Sequence, residues 1–521
     1  MRSFTWMAAG GLALIIATGT AASAATISGT VTGPDNVAFR GAFVQARNAK
    51  THITVSVLSD PQGHYRIENL PAGEYRLGIR APGYKADSKF GLQLGEDYHT
   101  LTSDFALQKS FVRWSDISMY QGKKLLPEAR GKDVYFQHCM ACHGFESRMA
   151  SVTRDEDGWR DRVNYMRDAM GFFIADPRFG FSDAKAEDVV FYLNHVFGED
   201  SELPKSPADL PKYKDEVRPF SDAAMKIVYV EYELPGGNRM PWSAHPDKAG
   251  KFWIPYYGRA NKIGRLDPAS GAIDEFPVPN LGTAAIHSAV PAADGAVWLT
   301  EQGSNKIGRW DPDTQTITEF QDTIRKHTIR IDPEGRIWST GGLSRFDPKT
   351  GVFTHIPEVP TCYGIALDKE GNAWFTELLT TGHIGKVDAK TLKVIKYTLP
   401  TANGRPRRIQ VDDQGIVWAA EFDSGKIARF DPKTEQFKEF QLPGPMPTPY
   451  ALGIDSDHKV WYSSEYMDVV GRLDPETGEV IEYPFPHAEN SLRDFFLDTQ
   501  GRMWFGSPAN DRVGYFYVAD K

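Results

Sequence analysis

The sequence predicts a multidomain, mainly β chain: a β-sandwich, a small all-α segment and a seven-bladed β-propeller. Three observations carry this. Residues 26–108 are short β-forming runs broken by Pro and Gly turns. Residues 115–200 change to helical periodicity around a Cys-x-x-Cys-His motif. From residue 225 onward seven tryptophans recur, Trp253, Trp298, Trp338, Trp374, Trp418, Trp461 and Trp504, at spacings of 36 to 45 residues.

Residues 1–24 read as a secretory signal peptide. Arg2 is the only charge in the first 34 residues, an apolar run spans Trp6 to Ala17, and Ala22-Ser23-Ala24 is an A-x-A cleavage site. The run is too short to cross about 30 Å of hydrocarbon, and no later segment approaches that length, so the expectation is a periplasmic or secreted protein that does not span the membrane. A net charge of −9 argues against nucleic acid as a partner. Three cysteines cannot build a disulfide framework; two belong to one motif and Cys362 stands alone.

Residues 25–110 form the expected sandwich. "ISGTV", "AFVQAR", "ITVSVLS", "HYRIENL", "EYRLGIRA" and "DFALQ" carry the β-formers, and "DPQG", "LPAG" and "APGY" the turns between them. The stretch "SDPQGHYRIENLPAGEYRLGIRAPGY" resembles the carboxypeptidase regulatory-like domain, an immunoglobulin-like sandwich of the transthyretin type. The resemblance implies a spacer or docking module. Some such domains share a fold with carbohydrate-binding modules, but no aromatic platform stands out.

The motif Cys139-Met-Ala-Cys142-His143 is the pattern of covalent c-type haem attachment. A zinc site needs about four ligands, and no second pair exists. Two thiols one helical turn apart suit addition to the two haem vinyl groups, which leaves His143 as proximal ligand. "EARGKDVYFQHCMACHG" resembles the first helix of a class I cytochrome c running into its haem motif, so residues 115–200 are expected to be a cytochrome c domain. Its last helix is expected at "SDAKAEDVVFYLNHVFG", capped by Ser182, with Val189, Val190, Leu193 and Phe197 as an apolar stripe. Trp159, Val163, Met166 and Met170 share one helical face. W-x-x-x-V-x-x-M resembles a pattern of bacterial c-type haem domains, which makes Met166 the first choice of distal ligand and Met170 the second. Met149, His195 and a five-coordinate iron are the remaining alternatives.

Residues 201–224 are charged and Pro-rich and read as a linker. In residues 225–521 most repeat tryptophans are followed by a phrase such as "NKIGRLDPASG" or "GKIARFDPKTE", then by a strand such as "IDEFPVP". Each unit is about four strands, one propeller blade. The last unit has three, and "IVYVEYELP" (227–235) precedes the first unit as an orphan outer strand, so the two are expected to pair and close the ring. "AWFTE" and "NKIGRL" resemble the virginiamycin B lyase family, also called streptogramin lyases.

Eleven residues before each repeat tryptophan stand Trp242, His287, His327, Tyr363, Arg407, Tyr450 and Arg493. Equivalent positions in a ring converge on its axis. Three residues after tryptophans stand Tyr256, Glu301, Glu377 and Glu421, with Glu465 one place further on, and these are expected at the same mouth. His287 and His327, with Glu301, are candidates for base or metal ligand. Arg407 and Arg493 are candidates for holding an anionic group.

The lyase resemblance implies histidines at this position in the last two blades, a glutamate two residues before one of them, and a metal-binding glutamate after a tryptophan. Here the last two blades carry Tyr450 and Arg493. His287 and His327 lie in blades two and three, preceded two places earlier by Ala285 and Arg325, and only Glu465 resembles the late glutamate.

The expected function is a periplasmic c-type cytochrome with one covalent haem c. Its propeller would bind a small anionic or phenolic substrate and pass electrons to the haem and on to a small cytochrome or copper protein. The alternatives are a lyase or hydrolase of a cyclic ester and a non-enzymatic electron-transfer and docking module.

Overall fold

A computed structural model of the chain describes residues 25–95, 100–140, 143–169, 180–280, 282–378 and 382–519. The stretch 1–24, read above as a signal peptide, and Cys142 and Met170 lie outside the described residues.

The N-terminal unit is a β-sandwich. One sheet centres on Ala25–Thr32, antiparallel to His64–Leu70 and parallel to Thr100–Thr102 and Phe105–Ala106. The other holds Phe43–Asn48, Thr54–Leu58, Gly73–Arg80 and Lys89–Leu94. Ile27, Val44, Ile67 and Leu77 fill the space between them and are fully buried.

Seven four-stranded antiparallel blades follow. Blade one runs His245–Pro246, Phe252–Pro255, Lys262–Leu266 and Ile273–Pro277, and blades two to six repeat that order. Blade seven takes Phe496–Leu497, Met503–Ser507 and Arg512–Val518 from the end of the chain. Its outer strand is Ile227–Glu233, paired along Arg512–Val518 from Ile227↔Val518 to Glu233↔Arg512. The far edge of Ile227–Glu233 then pairs with Thr54–Leu58 of the sandwich, Val230 opposite Val55. Blade seven and the sandwich therefore share one eight-stranded sheet.

The repeat tryptophans are buried for a local reason. In six blades the indole Nε1 donates to an aspartate six residues earlier, as from Trp338 to Asp332 (3.2 Å) and from Trp504 to Asp498 (2.8 Å). That aspartate also accepts backbone N–H groups of the turn, which relieves the cost of burying both polar groups. Blade two has Ala292 at this position. The turn needs a left-handed residue three places after the aspartate. Glycine supplies it in six blades (Gly335 has φ 81°) and His458 in blade six (φ 57°).

Between sandwich and ring lies a helical segment. Ser118 caps Met119–Leu125, accepting from Gln121 N. Lys132–Val134 runs into a wider turn over Tyr135–Cys139. Glu156–Ala169 packs against Asp183–Phe197, which Ser182 caps and which ends as Gly198 N–H bonds Asn194 O (2.9 Å). Val189, Val190, Leu193 and Phe197 are buried in one core with Trp159 and Val163. The stretch read as a linker is held against its neighbours. Trp114 Nε1 donates to Pro204 O (2.7 Å), and Arg218 pairs with Glu482 (2.6 Å).

Candidate functional site

The seven residues eleven before the tryptophans do converge. Trp242 lies against His287 (ring centroids 5.7 Å apart), His287 against His327 (3.7 Å) and His327 against Tyr363 (4.5 Å). The hydroxyls of Tyr363 and Tyr450 are hydrogen-bonded. The guanidinium carbons of Arg407 and Arg493 lie 5.3 and 4.4 Å from the Tyr450 ring centre. Bulges explain the aim. In blades two, three, five and six the innermost strand breaks register at this point, between Ile286 and Ala289, Lys326 and Ile329, Pro406 and Ile409, and Pro449 and Leu452. The extra residue turns a side chain that would face the next blade toward the axis.

A second repeat position, missed in the sequence, fixes these backbones. Two residues after the tryptophan, Thr300, Thr340, Thr376 and Ser463 accept the N–H of Ser288, Thr328, Gly364 and Ala451 in their own blades. Each also donates to a carbonyl of the next blade: His327 O (2.8 Å), Tyr363 O (2.9 Å), Arg407 O (2.7 Å) and Leu492 O (3.1 Å). The recurring W-x-T/S was the signal.

The hub is packed with side chains at less than a tenth of full exposure. One expectation is corrected. The carboxylates three residues after the tryptophans do not reach the axis. Glu301 accepts from Asn280 (3.2 Å) and Ser304 (3.1 Å), and Glu421 from Ser424 (2.9 Å). Both belong to second strands, whose side chains face neighbouring blades. Burial pushes both up to about 7. Glu465 lies one residue past the strand Val460–Ser464, is free to turn inward, and pairs with Arg493.

The imidazoles are held neutral. Burial pushes His287 and His327 well below the usual histidine range. His327 and then Arg408 add to the effect on His287, and Arg408 adds to that on His327. His287 Nδ1 has no hydrogen-bond partner among the described residues, whereas His327 Nδ1 lies 2.9 Å from Thr328 Oγ1.

The helical segment sits on this hub. Tyr363, Phe422, Tyr450 and Tyr466 of the ring share a core with Phe136, Met140, Phe145 and Met149. Tyr466 Oη donates to Phe136 O (3.1 Å), Tyr120 N to Tyr466 O (2.8 Å) and Ser147 N to Glu489 (3.0 Å). Arg259 reaches Tyr165 Oη (3.2 Å). The turn that carries His143 thus caps the axis. His143 Nδ1 lies 2.8 Å from Gly144 O. Burial holds the ring down at about 4, with Arg148 and Arg493 adding to it. Cys139 and Met166 are partly buried against the helical core, and His195 stacks on Phe191 (5.9 Å). Glu146, Asp468 and Glu489 come together where cap meets ring. Burial raises all three, Asp468 to about 7.

Comparison with known proteins assigns two units. Residues 26–108 match the carboxypeptidase regulatory-like domain, and residues 353–520 match the virginiamycin B lyase family. The propeller is virginiamycin B lyase-like. Virginiamycin B lyase from Staphylococcus aureus aligns over 56% of this chain and all of its own, with 24% identity and a TM-score of 0.51. A streptogramin B lyase structure aligns over 57% of this chain and all of its own, with 25% identity and a TM-score of 0.52. No curated protein matches the chain. Neither family match includes the Cys139–His143 motif.

Proposed function

We propose that this is an exported haem-c oxidoreductase in which the lyase-like propeller binds a small organic molecule beneath the attachment turn. The observation that carries the reading is the packing of the segment around His143 against Tyr363, Tyr450 and Tyr466 of the ring, with Ser147 bonded to Glu489. The donor set fits the cofactor. His143 Nδ1–H donating to Gly144 O leaves Nε2 as the ligand atom. Tyr135 Oη, His138 Nε2 and Trp159 Nε1 are buried near the motif without hydrogen-bond partners among the described residues. Cys139 and Cys142 would hold the haem covalently, with His143 and Met166 on the iron and Met170 as second choice. The haem supplies one-electron acceptance. The chain's own residues bind and deprotonate. Arg407 and Arg493 hold an anionic or phenolic molecule, and neutral His287 takes its proton at Nδ1. A small periplasmic cytochrome or copper protein would take the electrons onward.

A second reading rests on the comparisons, which favour it over electron transfer: a lyase or hydrolase of a cyclic ester. Against it, the positions that the lyase resemblance fills with histidine hold Tyr450 and Arg493.

The test is expression with the haem-attachment machinery, followed by anaerobic screening of phenols, amines, alcohols and aldehydes. Substrate-dependent growth of the reduced haem band supports the first reading. Metal-dependent opening of a streptogramin lactone with an unchanged haem spectrum replaces it with the second. Non-covalent haem in the wild type, extractable by acid acetone, overturns the cofactor assignment.

A further inference from the structure

Arg407 and Arg493 are 3% and 2% exposed. Arg493 Nη1 bonds Glu465 Oε1, while Nε and Nη2 of both arginines have no hydrogen-bond acceptor among the described residues. Trp242 Nε1 and His287 Nδ1 are buried without partners beside them. Both guanidinium carbons lie within 5.3 Å of the Tyr450 ring centre. Arg407 also lies 4.4 Å from the Phe422 ring centre, and Arg493 lies 4.9 Å from that of Trp242. Aromatic faces satisfy a guanidinium above its plane and leave the in-plane N–H fork open.

One nearby carboxylate, Glu465, faces these two cations, and its second oxygen is itself unpartnered. Arg408 and Arg330 add charge below, matched among the described residues by Asp494. A buried unpaired guanidinium costs several kcal/mol, and such groups persist where an anion completes them.

We infer that the hub is a carboxylate-binding site in which the open forks of Arg407 and Arg493 hold one carboxylate group between the propeller and its cap. The planar forks match a carboxylate bidentately, and the surrounding Trp242, Tyr450 and Phe422 suit an aromatic or short aliphatic body. This deepens the reading above by naming what the hub binds, yet anion binding needs no electron transfer, so either can fail alone. The carboxylate has two sources: a free organic acid, or a propionate of the attached haem.

Calorimetric titration of the full-length matured protein with benzoate, and with benzamide as the uncharged control, separates these sources. For a free acid, benzoate binds, benzamide does not, and Arg407→Gln weakens binding at least about tenfold. Arg407→Lys, which keeps the charge without the fork, falls between. For a propionate, benzoate does not bind, and Arg407→Gln lowers the haem reduction potential in a redox titration, since a cation beside the haem disfavours its oxidised form. Because Arg493→Gln alone strands Glu465, the companion variant is Arg493→Gln with Glu465→Gln. Folded variants that change neither benzoate affinity nor haem potential overturn the inference. So does benzoate binding that the variants leave intact. Benzoate binding with no haem reduction by any substrate keeps the site and removes the oxidoreductase reading.

Discussion

The imidazole of His287 lies against that of His327 across the seam between blades two and three, with ring centroids 3.7 Å apart and planes 37° apart. Both rings are held neutral in the folded chain. The unfolded chain protonates them near about pH 6.5, so their contribution to stability is complete above that value and is lost as pH falls below it. Each is expected to cost about 1–2 kcal/mol between about pH 6.5 and 5. A His287→Gln, His327→Gln double variant should flatten this limb of a denaturation-against-pH curve. An unchanged limb would mean the pair does not govern acid stability.

The cap gives the opposite limb. Glu146 is 1% exposed, with neither carboxyl oxygen partnered among the described residues, and faces Asp468 and Glu489. All three are raised, so the folded state holds protons that the unfolded state has released, and this stability disappears as pH rises through about 7, the value for Asp468. Glu146→Gln should keep the cap better seated at pH 8. Proteolysis within the helical segment, compared at pH 6 and 8, reads this directly: the wild type should be cut faster at the higher pH, and the variant by a smaller margin, since Asp468 and Glu489 still titrate.

Thr376 Oγ1 joins Gly364 N to Arg407 O of the next blade, fully buried. Thr376→Val keeps the shape and strands two backbone groups. The expected loss is about 1–3 kcal/mol in urea denaturation. The variant should also weaken any hub ligand, since Arg407 is the residue held.

Val230→Pro should be severe. Val230 sits mid-strand between Tyr515 of blade seven and Val55 of the sandwich. Proline removes an N–H from a strand paired on both edges, at about 3 kcal/mol or more. A single lowered melting transition is expected. Two separated transitions would show that sandwich and ring do not depend on this strand.

The ring and its closure were legible because one tryptophan per blade indexes every other position. The convergence of His287, His327, Arg407 and Arg493 followed from that index alone. The bulges beside His287, His327 and Arg407 did not, since an extra residue in a strand leaves no mark in a single sequence. Glu301 and Glu421 were misplaced because counting from the tryptophan does not tell a sheet face from a strand end; one residue separates them from the inward-turned Glu465. The seating of the His143 turn was invisible for another reason. Its partners, Tyr466 and Glu489, stand more than 300 residues away in loops with no repeat signature.

The shared sheet also bears on how the chain is made. Ile227–Glu233 emerges long before Arg512–Val518, the strand it must meet. Left bare, it would offer two sticky edges to other chains throughout translation. Thr54–Leu58 is already available to cover one of them. The sandwich thereby acts as a jig, holding the first part of the ring in place until the last arrives.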